Sequence, residues 1–253
     1  ISVILDGVFN HTGADSVYFN KFGNFPGVGA YGGRQSPYYD WYTFFDFPDD
    51  YHCWWGSTVV PTVNKSAEGW RELVLGRNGV IDKWTKAGVR GWRLDVVDEL
   101  PTDFTEALCA AIRGSGKDSL VIGEVWEDAS DKVSYGTWRP YFMGDELDGV
   151  MNYPFRRAIF DLVMRGDRGA FRDEVALIAE HYPKESLDAS LTLLGSHDTV
   201  RALTALSGVS APATKEERRG YRLPRDLEEL AALRLKAAAI LQYTLPGIPC
   251  VYY

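Results

Sequence analysis

The sequence predicts an α/β fold with a parallel sheet, a (β/α)8 TIM barrel, and three observations predict it. Short apolar runs alternate along the chain with longer stretches of helical period, the pattern of successive βα units. The chain has 253 residues, a length at which α/β barrels commonly form one domain. Four of the apolar runs end in an acid or a histidine, and the C-terminal strand ends of a barrel converge on one face, where catalytic groups collect.

The strands are expected at 2–6 (SVILD), 91–95 (GWRLD), 120–124 (LVIGE), 149–153 (GVMNY), 191–195 (LTLLG) and 248–253 (IPCVYY). Helical periodicity covers 68–88, 102–116, 155–166, 171–182 and 226–245. Gly88 stands as a stop for the first helix, Pro101 precedes Thr102 and Asp103 at the start of the second, and Gly114 and Gly116 close it. Residues 12–64 stand apart as an inserted subdomain, rich in glycine and aromatic residues and without a sustained period. A connection this long in a compact domain is functional or folds on its own account. Its rings suit two uses, a small core of their own or stacking against sugar rings.

Composition narrows the function. At 45% hydrophobic and 25% charged residues the chain is an ordinary globular one. A net charge of −8 argues against nucleic acid, whose phosphates call for clustered lysine and arginine. The densest basic stretch, KEERR at 215–219, is interleaved with acids and reads as a solvated face. Cys53, Cys109 and Cys250 are odd in number, widely spaced and without a CxxC pair, so neither a disulfide framework nor a zinc site is expected. Free thiols in a reducing compartment, hence a cytoplasmic location, are the simplest account. No apolar run approaches the ~20 residues that span a bilayer, so no membrane partner is expected. The chain begins at Ile1 inside one apolar strand and stops at Tyr253 inside another, which reads as an internal segment of a longer protein.

The chemistry lies at the strand ends. The first run ends in Asp6 and leads to Asn10 and His11; the others end in Asp95, in Glu124, and in His197 with Asp198. Arg93, two residues before Asp95, shares a face with it, while Trp92, Leu94 and Val96 take the other. A structural ion pair would account for Arg93 and Asp95 alone. Beside three similar endings, the pair reads as the centre of a pocket. Crowded carboxylates drive one another's pKa values apart, and a pair of them suits glycoside hydrolysis, one attacking the anomeric carbon and one protonating the leaving oxygen. Arg93 favours the ionised form of the acid it touches, which points to Asp95 as nucleophile and Glu124 as acid/base. The competing reading is a divalent metal held by His11, His197 and the acids. The sequence holds only His11, His52, His181 and His197, and an arginine beside the central carboxylate opposes a cation.

These motifs resemble the α-amylase family of retaining glycoside hydrolases. DGVFNH (6–11), GWRLDVVDE (91–99), GEVW (123–126) and LLGSHD (193–198) match its four conserved regions in order, and VPTVN (60–64) resembles an additional region at the end of its inserted subdomain. Glu99, together with GEVWEDAS (123–130) and GDELDGVMNYPFR (144–156), is most similar to the neopullulanase, cyclomaltodextrinase and maltogenic amylase group. VPTVN departs from that group's usual Met-Pro-Lys-Leu-Asn, keeping only Pro61 and Asn64.

The resemblance implies Asp95 as the nucleophile, Glu124 as the acid and later base, and Asp198 as a third carboxylate that holds sugar hydroxyls. It implies substrate contacts from His11, His197 and Arg93, with Glu99 and Trp126 contacting the acceptor sugar or packing the rim, and Asp6 and Asn10 supporting the site. It implies that residues 1–253 are a partial catalytic barrel, about strands three to eight, with 12–64 as its inserted subdomain. A barrel cut in this way leaves two unpaired sheet edges, so the segment alone is not expected to be a stable enzyme. The implied reaction is hydrolysis, with retention, of α-1,4 and also α-1,6 bonds in maltooligosaccharides, cyclodextrins or pullulan. The alternatives are a transglycosylase or isomerase of the same family and a non-catalytic glucan-binding or transporter-associated relative. No cofactor is required. Many relatives hold calcium partly through the asparagine of the first region and a histidine where this chain has Glu99, which argues against calcium there. The expected partner is the α-glucan, with a homodimer formed through regions outside the segment.

Overall fold

The computed structural model describes residues 1–116 and 118–252. The chain falls into two compact units, one of Ile1–Glu124 with Val133–Leu147, the other of Val125–Lys132 with Asp148–Tyr253. Both are built from parallel strands and helices.

The first unit opens with β1 (Ile4–Gly7). The aromatic segment that follows carries a small antiparallel hairpin, β2 (Phe44–Asp46) and β3 (Asp50–Tyr51). Its rings gather around Phe19, which is fully buried; the centroids of Tyr42 and Tyr51 both lie 4.8 Å from it. Most of these rings thus form a small core. Trp55, 80% exposed, does not.

The periodic stretch 68–88 is two helices, not the single one its period predicts: α1 (Glu68–Leu75) and α2 (Val80–Lys86). Gly76 ends the first, and Asn78 turns into the left-handed region at φ 68° while its N–H donates to the Asp82 carboxylate. Glycine and asparagine accept such a turn where other residues resist it. The chain then enters β4 (Gly91–Leu94), α3 (Thr102–Ser115) and β5 (Leu120–Gly123). Phe104, Leu108 and Ile112, spaced four apart on α3, are all fully buried, each worth about 2 kcal/mol of apolar burial. The three strands pair in parallel in the order β1–β4–β5, with Asp6 opposite Arg93 and Arg93 opposite Ile122. The unit ends with a hairpin that the apolar pattern does not announce, β6 (Val133–Ser134) and β7 (Thr137–Trp138).

The second unit holds β8 (Gly149–Val150), α4 (Tyr153–Arg165), α5 (Arg168–His181), α6 (Lys184–Ala189), β9 (Leu191–Leu193), α7 (Ala202–Ser207), α8 (Lys215–Gly220), α9 (Arg225–Thr244) and β10 (Ile248–Cys250). The expected strand 149–153 stops early because Asn152 caps α4, its side chain accepting from the Phe155 N–H at 3.0 Å, with Pro154 in the first turn. Strand β10 also ends sooner than 248–253, and Tyr253 lies outside the described residues. Strands β9 and β10 run parallel, and Met151 bridges in parallel to Leu191 on the other side of β9. Ile159, Leu194, Leu206 and Ala238 form a core to which α4, α7 and α9 contribute. The short helices α6, α7 and α8 are too brief to show a period in the sequence.

Candidate active site

The site is legible first in the register of three strands. Asp6 lies on β1, Arg93 opposite it on β4, and Glu124 one residue past β5, where its N–H donates to the Leu94 carbonyl at 3.0 Å. Asp95 sits one residue past β4, its N–H on the Gly7 carbonyl at 3.2 Å. This places three carboxylates around one guanidinium. Arg93 Nη1 is 2.7 Å from Asp6 Oδ1 and 2.6 Å from Asp95 Oδ1, and Nη2 is 2.9 Å from Glu124 Oε2. Burial acts to strip the arginine of its proton, but the hydrogen bond to Asp6 and the charges of Glu124, Asp6 and Asp95 outweigh it and raise its pKa. The guanidinium is a fixed cation.

Arg93 and Asp95 do share a side, as strand alternation predicts. The alternation does not extend to Val96, however. Val96 turns into the left-handed region at φ 40°, a costly conformation for a β-branched residue. The turn aims its N–H at Glu124 Oε2, 2.9 Å away, so that oxygen receives both the backbone donor and the guanidinium. Because Arg93 touches both carboxylates, its contact alone does not divide nucleophile from acid; the expectation that it singles out Asp95 is corrected here. The environments still differ: Glu124 is buried, Asp95 half-buried.

His11 Nε2 stands 4.0 Å from Asp95 Oδ2. Burial lowers the pKa of its imidazole, against the charges of Asp95 and Glu99, which favours the neutral ring. Asn10 is fully buried behind it. Its amide donates to Glu99 Oε2 at 2.9 Å, and both of its oxygens face the Lys65 ammonium, the side-chain oxygen in a very short contact and the carbonyl at 3.5 Å. Burial pushes the Lys65 amine down to about 8.

Glu99 is the second hub of this unit. Besides Asn10, its carboxylate accepts from Trp54 Nε1 and Trp55 Nε1, both at 3.0 Å, and from the Tyr135 hydroxyl at 3.2 Å. The Trp54 ring lies 5.4 Å from that of His11. Deeper down, buried Arg139 donates to the Leu100 carbonyl at 2.6 Å and to the Asp98 carbonyl, and the Tyr141 hydroxyl donates to Asp98 Oδ1 at 2.5 Å, which pins the turn bearing Glu99. Sequence reasoning missed Lys65, Trp54, Trp55, Tyr135 and Arg139. The run of tryptophans at 54–55 was a usable signal; a lone lysine, tyrosine or arginine far along the chain was not.

The remaining expected residues belong to the second unit. His197 and Asp198 lie on the loop after β9, with His197 Nε2 3.1 Å from Asp198 Oδ2 and the Asp198 N–H on Ser196 Oγ at 3.3 Å. They line, with Arg201, Arg218 and Arg222, a cavity of about 780 Å³. Trp126 stacks flat on Tyr153, centroids 3.8 Å apart and planes 7° off parallel, and is 39% exposed. Among the described residues no group of three or more His, Cys, Asp or Glu side chains is arranged to hold a metal ion.

Parallel strands that carry acids at their C-terminal ends, three of them gathered on one arginine, place the chain in the α/β class with a candidate catalytic centre, and comparison with known proteins gives the family. The α-amylase catalytic domain model matches residues 1–253, and the chain belongs to the α-amylase family. An amylopullulanase of Thermoanaerobacterium thermosulfurigenes is 35% identical over 285 residues, covering all of this chain and 14% of that protein. Neopullulanase 2 of Thermoactinomyces vulgaris is 30% identical over 261 residues, covering all of this chain and 38% of its own length. Relatives named cyclomaltodextrinase and maltogenic α-amylase match as well, so the sequence resemblance to that group holds. Among solved structures, the cyclic α-maltosyl-(1→6)-maltose hydrolase of Arthrobacter globiformis superposes with a TM-score of 0.76 at 25% identity, covering all of this chain and 50% of that one. Family and structural likeness together imply a TIM-barrel fold. The chain spans between about a seventh and two fifths of the length of these curated relatives.

Proposed function

We propose that this chain is the catalytic part of a retaining α-glucan hydrolase acting on α-1,4, and also α-1,6, bonds of maltooligosaccharides, cyclodextrins or pullulan. The observation that carries the reading is the clamp of Asp95 and Glu124 on Arg93. In this reading Asp95 attacks the anomeric carbon to form a β-glycosyl ester while Glu124 gives its proton to the leaving oxygen. Glu124 then takes a proton from water, and the hydroxide displaces Asp95 with a second inversion, so the configuration is retained. The Val96 N–H and Arg93 steady the Glu124 anion left after its first proton transfer, and Arg93 holds the Asp95 carboxylate in place through its ion pair. His11, as a neutral ring beside Asp95, hydrogen-bonds the same sugar. Asp198 serves as the third carboxylate on sugar hydroxyls, with His197 beside it, while Trp126 borders the acceptor side and Asp6 and Asn10 hold the clamp and Glu99.

The chain is read as about strands three to eight of the barrel, with 12–64 as its inserted subdomain. No calcium enters the reaction: the Lys65 ammonium occupies both Asn10 oxygens and Glu99 is engaged by neutral donors, so these residues do not suit a divalent ion. A reducing, cytoplasmic setting fits the three free cysteines, and a homodimer would form through regions outside this segment. The experiment is Asp95→Asn in the full-length protein, with product anomers followed by NMR for the unaltered enzyme. Hydrolysis should vanish in the variant while glucan binding survives, and the first product should be the α-anomer. Undiminished hydrolysis by the variant, or β-product from the unaltered enzyme, would overturn the reading.

A further inference from the structure

Two aromatic side chains near the clamp are held in a way that packing does not explain. Trp55 lies at φ 50°, ψ 35°, and Tyr135 at φ 51°. Left-handed backbone of this kind costs a non-glycine residue about 1 kcal/mol or more. Tyr135 opens the two-residue turn of the β6–β7 hairpin, followed by Gly136 at φ 75°. Such turns take asparagine, aspartate or glycine at that place, not a bulky ring. Burial does not offset the strain, since Trp55 is 80% and Tyr135 72% exposed.

What the two share is Glu99. The Trp55 indole N–H and the Tyr135 hydroxyl reach the same oxygen, Oε1, at 3.0 and 3.2 Å, and Trp54 reaches it too. Each ring is tethered by its polar edge while most of its surface stays in solvent. The tether leads back to the reaction centre, from Glu99 to Trp54, from Trp54 to the His11 ring 5.4 Å away, and from His11 to Asp95 at 4.0 Å. An exposed aromatic ring fixed in place by a carboxylate is suited to an amphipathic ligand with a flat C–H face, because the negative face of the ring attracts polarised C–H groups and no entropy is spent in ordering it. A pyranose ring has that face.

We infer that Trp55 and Tyr135 form a stacking platform for a glucose ring of the α-glucan chain remote from the cleaved bond, with Glu99 as the positioning residue that holds both rings. The inference rests on the α-glucan hydrolase reading above. It makes the insertion and the β6–β7 hairpin jointly responsible for preference among chain lengths.

The test uses the full-length protein with maltotriose and maltoheptaose as substrates. In Trp55→Ala with Tyr135→Ala, kcat/KM for maltoheptaose should fall about tenfold, with a smaller fall for maltotriose, so that the loss grows with chain length. Tyr135→Phe, which keeps the ring and loses the tether, should show an intermediate loss, expressed mainly in KM. Glu99→Ala, which removes the acceptor that holds both rings, should follow the same length dependence. An unchanged maltoheptaose value in the double variant, or an equal loss on both substrates, overturns the platform. Should the unaltered protein hydrolyse neither substrate, the activity reading fails by itself. The platform is then judged by maltoheptaose binding, followed by tryptophan fluorescence, which must weaken in the double variant for the inference to stand.

Discussion

The first unit contains two hubs built on opposite plans. At Arg93 one cation serves three carboxylates, and at Glu99 one carboxylate serves four neutral donors. The first arrangement concentrates charge, so its parts stand or fall together, each carboxylate held in place by the same cation. The second positions neutral rings, and each donor adds an increment of ordinary hydrogen-bond size. Another carboxylate, Glu146, marks the limit of both plans. It is 1% exposed, neither of its oxygens has a hydrogen-bond partner among the described residues, and burial, only partly offset by Arg139, pushes its carboxyl up to about 7.

If the clamp is cooperative, Arg93→Leu should have the largest effect of any change in the unit. It leaves the buried Glu124 and the half-buried Asp95 without their counter-ion, so kcat should fall at least ~10³-fold and stability by about 3–5 kcal/mol, read by initial rates and urea unfolding. A variant that keeps either property would break the contrast between the hubs. Next in size is Glu146→Gln. The folded pKa of Glu146 is raised from 4.5 to about 7, so its contribution to stability is present below pH 4.5 and lost as pH rises toward 7, by about 3 kcal/mol across that window. The glutamine variant should lose that part of the pH dependence in unfolding curves measured from pH 4 to 8, whereas a wild-type profile flat over the window would show that Glu146 has a partner after all.

Glu99→Gln should be milder, about 1–2 kcal/mol in urea unfolding, because a neutral acceptor still receives neutral donors. A loss as large as that of Arg93→Leu would mean that Glu99 too works through charge. Smallest of all is the effect of removing metal. Dialysis against EDTA should leave the melting temperature and kcat unchanged within error, since Lys65 occupies the oxygens of Asn10. A drop restored by calcium would show that this corner of the second hub is a cation site.

The first hub was legible in the sequence and the second was not, for a physical reason. Asp6, Arg93, Asp95 and Glu124 lie on strands, whose period of two and parallel alignment bring like strand ends together, so reading the runs was enough to group them. The strands at 4–7, 91–94 and 120–123 and the long helices fell close to their expected places on the same grounds. Glu99 instead gathers Asn10, Trp54, Trp55 and Tyr135, residues 89, 45, 44 and 36 positions away on loops with no period to read. The break at Asn78 and the turn at Val96 escaped as well, since both depend on backbone conformations that the side-chain pattern does not encode. For Val96 in particular, the propensity of a β-branched residue pointed the wrong way, and the hydrogen bond to Glu124 prevailed over it.

The clamp also bears on how the sheet finds its alignment. Arg93 meets Asp6 and Glu124 only when β1, β4 and β5 are paired as they are, and a slip of one residue would turn the arginine to the opposite face and strand its carboxylates. Misaligned pairings therefore forfeit these ion pairs and leave the buried Glu124 without its cation, well before any substrate is encountered. The group that prepares the chemistry thus doubles as a proofreader of folding, and chains that pass this electrostatic check have assembled the Arg93, Asp95 and Glu124 cluster in doing so.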